Sequence, residues 1–81
     1  MRLDKFLKVA RLIKRRTVAN EVCDSARVFV NEICAKPAKQ LKVGDIITIE
    51  YKNLTKKYEV LLIPSGNVPV NEASSLYKEL D

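Results

Sequence analysis

Seven of the chain's fifteen basic side chains fall within its first sixteen residues: Arg2, Lys5, Lys8, Arg11, Lys14, Arg15 and Arg16. One acid, Asp4, stands among them, so the segment carries a net +6. The other sixty-five residues hold eight basic and nine acidic groups. The formal +5 is therefore concentrated at one end, and a cationic patch of that density fits phosphate. Arginine forks grip phosphate oxygens two at a time, while lysines act as mobile point charges. A merely solvated helix face mixes signs and sets carboxylates four residues from its lysines. Here the next acid after Asp4 is Glu21.

Other chemistries lack their residues. There is no histidine, which removes the commonest general base and leaves no imidazole to activate a serine or cysteine. Cys23 and Cys34 are too few to hold a structural zinc, and Gly44 and Gly66 do not make a glycine-rich phosphate loop. The expectation is a binding protein rather than an enzyme, with no metal and no cofactor. The N-terminus is amphipathic instead of basic then apolar, so no export signal is expected. Both thiols are then expected reduced and mostly buried. No run approaches the ~18 apolar residues of a membrane span, which points to a cytoplasmic chain with no membrane partner.

These side chains need a scaffold, and 81 residues have room for one small core. At about 100° per residue, Leu3, Phe6, Leu7, Ala10 and Ile13 share one helix face, with Arg2, Lys5, Lys8 and Arg11 on the other. The spacing predicts a first helix over 3–13, with Asp4 at its start, where the helix dipole favours a carboxylate. Thr17 is a suitable N-cap for a second helix over 18–25, whose apolar positions are Ala19, Val22, Cys23 and Ala26. The period then changes to two. Val28, Phe29 and Val30 form a strand, Asn31-Glu32 a turn, and residues 33–35 a short return strand ending at Lys36-Pro37. Val43-Gly44-Asp45 marks another turn before a strand over 46–51, with a further strand over 57–62. The irregular 64–69 segment leads to a last helix over 71–81, with Ala73, Leu76, Tyr77 and Leu80 on one stripe. Phe6, Phe29, Tyr51, Tyr58 and Tyr77 are expected in the core. The order is that of an α+β domain, a helical hairpin on a small antiparallel sheet.

With those elements placed, one string becomes specific: Arg2-Leu3-Asp4-Lys5-Phe6-Leu7, Ile13-Lys14-Arg15-Arg16-Thr17, Ala19, Cys23, Val28, Val30-Asn31, Lys36-Pro37 and Val43-Gly44-Asp45. It resembles the RNA-binding domain named after small-subunit ribosomal protein S-four, also called the alpha-L motif, over residues 2 to about 50. The resemblance implies a helical hairpin packed on a small twisted sheet, with RNA held against the hairpin and its basic loop. Many members have glycine where this chain has Ala26 and Glu32. Ala26 must adopt or avoid a backbone glycine takes easily, and Glu32 puts a carboxylate at the β-turn.

The RNA-binding candidates are therefore Arg2, Lys5, Lys8, Arg11, Lys14, Arg15, Arg16 and Thr17, the last beside helix amides that can seat a phosphate. Asn20 reads equally as a donor to the RNA backbone or as plain helix surface. Lys36 and Lys42 read equally as solvated loop or as extensions of the patch. The domain is expected over 1–63, with 64–81 a connector and short helix or tail. In size, in the RLDKFL start and in the KRRT loop the chain resembles the RqcP (YabO) family, related to a ribosome-associated heat-shock protein. That resemblance implies binding to rRNA and peptidyl-site tRNA on obstructed large ribosomal subunits. It also implies help for an RqcH-type factor that adds a C-terminal alanine tail, and a monomer off the ribosome. The competing readings are a general free-standing RNA-binding module in ribosome assembly or translation, and a protein adaptor or lipid-surface helix.

Overall fold

Two helices, α1 (Leu3–Val9) and α2 (Arg16–Asp24), precede five strands in the computed structural model, which describes residues 1–51, 53–66 and 68–80. The strands are β1 (Val28–Val30), β2 (Ile33–Cys34), β3 (Ile46–Glu50), β4 (Thr55–Val60) and β5 (Tyr77–Leu80). They form one antiparallel sheet in the order β2-β1-β3-β4-β5. Alternation puts Val28, Val30, Ile47, Ile49, Tyr58 and Val60 into the core. Leu3, Phe6, Leu7, Ala10, Ala19 and Cys23 join them from the helices in one apolar cluster. Each large side chain so buried contributes about 1.5–3 kcal/mol relative to leaving it in water. The expected α+β architecture is the one observed, and no helix among the described residues is long and apolar enough to cross a membrane.

Both helices end in the same left-handed cap, and neither uses glycine. The first helix stops four residues short of the predicted 3–13. Arg11 takes φ 64°, its N–H bonds the Lys8 carbonyl, and the Leu12 N–H bonds the Leu7 carbonyl at 3.0 Å. On a continued helix Leu12 would point about 180° away from Leu3, into water. Turning the chain instead lets Leu12 and Ile13 pack against the core. Ala26 closes α2 likewise, with φ 65° and its N–H on the Cys23 carbonyl at 3.2 Å. It does adopt the conformation that glycine takes more easily.

Asn31 and Glu32, at φ 53° and 69°, make the two-residue turn between β1 and β2, with Val30 facing Ile33. The Asn31 amide donates to Asp45 Oδ1 at 3.1 Å, and its Oδ1 accepts the Ile46 N–H at 3.0 Å. Asp45 is buried and also accepts the Lys42 N–H at 3.0 Å, so one carboxylate ties the hairpin to the entry of β3.

Further expectations fail. Strand β4 begins at Thr55, two residues before the predicted 57. The segment predicted as a helix over 71–81 is a 3₁₀ helix at Val70–Leu76 followed by β5, which pairs with β4 through Val60 and Tyr77. Its apolar residues satisfy both periods: Leu76 is buried, and Tyr77 stacks edge-on against Tyr58 with ring centroids 5.4 Å apart. Cys34 and Tyr51 are exposed, and Phe29 and Tyr77 only half-buried, because they lie on the open sheet face or at its ends. Cys23 alone is the buried thiol, pushed up to about 11 by burial and by the charges of Asp4 and Asp24.

Candidate nucleic-acid interface

Asp4 is the only acid in the basic segment, and the fold buries it between the two helices. It does not cap α1, whose N-cap is Arg2. Its oxygens instead collect donors from both sides of the hairpin. Arg2 closes on it with Nε and Nη2, each at 3.1 Å, and the Lys5 N–H reaches Oδ1 at 2.8 Å. From α2, Asn20 Nδ2 donates to Oδ2 at 3.3 Å, and Arg16 Nε lies 3.7 Å from the same oxygen. A two-point arginine–carboxylate contact fixes guanidinium direction as well as position. Arg2 and Arg16 nonetheless stay about half exposed, at 43% and 49%, so both keep N–H groups facing outward. Arg2, Arg16, Thr17, Asn20 and Glu21 surround an open depression of about 450 Å³ above the carboxylate.

Burial pushes the Asp4 carboxyl up, but the bonds from Asn20, Arg2 and the Lys5 N–H, with the Arg16 charge, outweigh it and hold its pKa below the usual 3.8. A carboxyl depressed in the folded state adds stability above its unfolded pKa, and that addition is lost as pH falls through the folded value. The wild-type melting temperature is therefore expected to fall more steeply below pH 3.8 than that of Asp4→Asn. Parallel curves would show that the hub contributes nothing to acid stability.

The other expected cations are placed around this hub. Lys5, Lys8, Arg11, Lys14 and Arg15 are all exposed, and among the described residues none has a carboxylate partner. Lys14 and Arg15 lie in the loop between the helices, and Arg15 rather than Thr17 is the N-cap of α2. Thr17 is one step inside the helix. The first intrahelical bond runs from the Ala19 N–H to the Arg15 carbonyl, so the preceding amides have no acceptor within α2. Asn20 spends one amide N–H on Asp4, which makes it a bridge between helices as well as a donor on the depression's wall.

Lys36 and Lys42 part company. The segment 36–40 is strapped to the start of α1: the Leu3 N–H bonds the Lys39 carbonyl at 2.8 Å and the Asp4 N–H bonds the Pro37 carbonyl at 3.1 Å. This brings Lys36 and Lys39 together on a groove of about 300 Å³ beside Asn31 and Ile33. Lys39 was not among the sequence candidates. A lysine three residues past Lys36 and just beyond Pro37 was the available signal. Lys42 is exposed on a separate turn and lines neither depression.

Comparison with known proteins shows the family to which the chain belongs. Residues 1–47 match the family model described as the S4 domain. The chain is 54% identical over 78 residues to the RQC P-site tRNA stabilizing factor of Streptococcus pneumoniae, covering 96% of this chain and 88% of that one. It is 47% identical over 79 residues to the protein of the same name from Listeria monocytogenes, covering 95% and 83%. Among solved structures, the trimeric Heat Shock Protein 15 of Vibrio cholerae superposes with a TM-score of 0.88 at 32% identity, covering 99% of this chain and 81% of that one.

Proposed function

We propose, since the chain belongs to the S4-domain family of RQC P-site tRNA stabilizing factors, that it binds rRNA and peptidyl-site tRNA on obstructed large ribosomal subunits. The observation that carries this reading is the helical hairpin itself. Five exposed cations without carboxylate partners among the described residues surround an arginine pair oriented by one buried aspartate. Such a surface follows phosphates on folded RNA, releasing counterions and reading shape more than base sequence. Arg2, Lys5, Lys8, Arg11, Lys14, Arg15, Arg16 and Thr17 form the contact set, with Asn20 and Lys36 at its edges and Lys42 outside it. The role proposed is binding, with the hub carboxylate engaged by four donors that brace the hairpin.

The finer role rests on family resemblance. On the subunit the chain stabilises peptidyl-site tRNA while an RqcH-type factor extends the stalled chain with alanine. Off the ribosome the proposed state is a cytoplasmic monomer. Touching rRNA and tRNA at once joins two weak contacts on one rigid domain, which raises effective concentration. Large subunits bearing peptidyl-tRNA are therefore expected to outcompete vacant ones by at least about tenfold, roughly 1.4 kcal/mol, in co-sedimentation at matched salt. Equal retention would reduce the protein to a general RNA-binding module, and enrichment on immature particles would place it in ribosome assembly.

A further inference from the structure

Left-handed backbone by itself does not mark a site in this chain, since Ala26, Asn31 and Glu32 also have positive φ. Ala26 is a bare cap, and Asn31 and Glu32 are demanded by a two-residue hairpin. Arg11 is different. It occupies the cap position that glycine fills without steric cost, yet carries the longest cationic side chain available. That side chain does not pay the cost back within the fold: it is exposed, and among the described residues no carboxylate or hydrogen-bond partner holds it. Instead Arg11 and Lys8 line a second depression of about 290 Å³, walled by Val9 and by Val68 from the 64–69 connector. This depression shares no residue with the one above Asp4. Along α1, Arg2 and Lys8 are separated by roughly 9 Å of helix rise.

We propose that Lys8 and Arg11 form a second phosphate site, independent of the Asp4-braced pair, and that Arg11 is held in a strained backbone to serve it. The site takes a phosphate of the same bound RNA, so the proposal rests on the RNA-binding reading above. Two separated cationic points at opposite ends of α1 orient an RNA backbone where one would only attract it. Val9 and Val68 form the apolar part of the wall beside the two cations.

The test uses the full chain, thermal melting, and affinity for purified large ribosomal subunits at fixed salt. Arg11→Gly is expected to raise the melting temperature by about 4 °C, the strain relief less the flexibility glycine adds to the unfolded chain. It should also weaken subunit binding about tenfold. Arg11→Ala keeps the strain, so it should weaken binding equally without the rise. Ala26→Gly relieves the other cap, and should raise the melting temperature while leaving affinity unchanged. Combined with Arg16→Ala, Arg11→Gly should multiply the two losses, as separated sites do. Arg11→Gly binding within twofold of wild type, or melting below it, would overturn the proposal. So would a double variant no weaker than the worse single one, which would mean one shared site. If the wild-type chain shows no salt-sensitive binding, the RNA-binding reading itself falls and takes this site with it. Failure confined to Arg11→Gly removes the second site alone.

Discussion

Raising monovalent salt from about 50 to 200 mM is expected to weaken binding to large ribosomal subunits by roughly 10²- to 10³-fold. Each phosphate neutralised by a lysine or arginine releases condensed counterions, so log affinity falls linearly with log salt. The structure decides how many cations count. Arg2 and Arg16 share Asp4, whereas Lys5, Lys8, Arg11, Lys14 and Arg15 have no carboxylate partner among the described residues. About four to six engaged phosphates give a slope of roughly −3 to −5. A slope near zero in a sedimentation titration would exclude the hairpin as the contact surface. A protein-docking or lipid-inserting face held mainly by apolar burial would give just that result.

Much of the scaffold was legible because its periods are clean. The 3–4 spacing of Leu3, Phe6, Leu7 and Ala10 and the alternation of Val28 and Val30 each allow one buried face, and those faces are buried. The Asn31-Glu32 turn was legible too, through asparagine's tolerance of positive φ. What escaped was decided by contacts across the chain. The helix ends at Val9, with Arg11 turning the chain beyond it, because Leu12 gains burial by leaving the helix, and no local residue signals that stop. Tyr77 to Leu80 fit a helical stripe, but the open edge of β4 offered ladder bonds that a helix leaves unmade. Charge counting gave Asp4 a role at the start of the helix. Only the packing of α2 on α1 shows it as a hub, since Asn20 and Arg16 arrive from sixteen and twelve residues away. The cationic candidates were visible as a group, but their division into a braced pair and a free set was not.

That division separates two substitutions that sequence alone would treat alike. Arg16→Ala should weaken subunit binding by about 1–3 kcal/mol, roughly ten- to a hundredfold, the scale of a lost charge-assisted contact. The fold should hardly notice. Arg16 Nε sits 3.7 Å from Asp4 and is half exposed, while Asp4 keeps two bonds from Arg2, one from Asn20 and one from the Lys5 N–H. Asp4→Ala removes the acceptor of all four. Arg2 can rehydrate because it too is part exposed, so the loss falls below that of a fully buried broken pair, at about 1–3 kcal/mol of stability. Its effect on RNA is of opposite character. Net charge rises by one, so attraction to any RNA should hold or increase, but the two arginines lose their fixed direction and the preference for tRNA-bearing subunits should shrink. Lys78→Ala, on the exposed side of β5, should change neither property. The measurements are a thermal melt and a competition between loaded and vacant subunits for each variant. If Arg16→Ala melts as low as Asp4→Ala, Arg16 is a structural strut. If Asp4→Ala keeps the full preference, orientation of the arginines is not what selects the loaded particle.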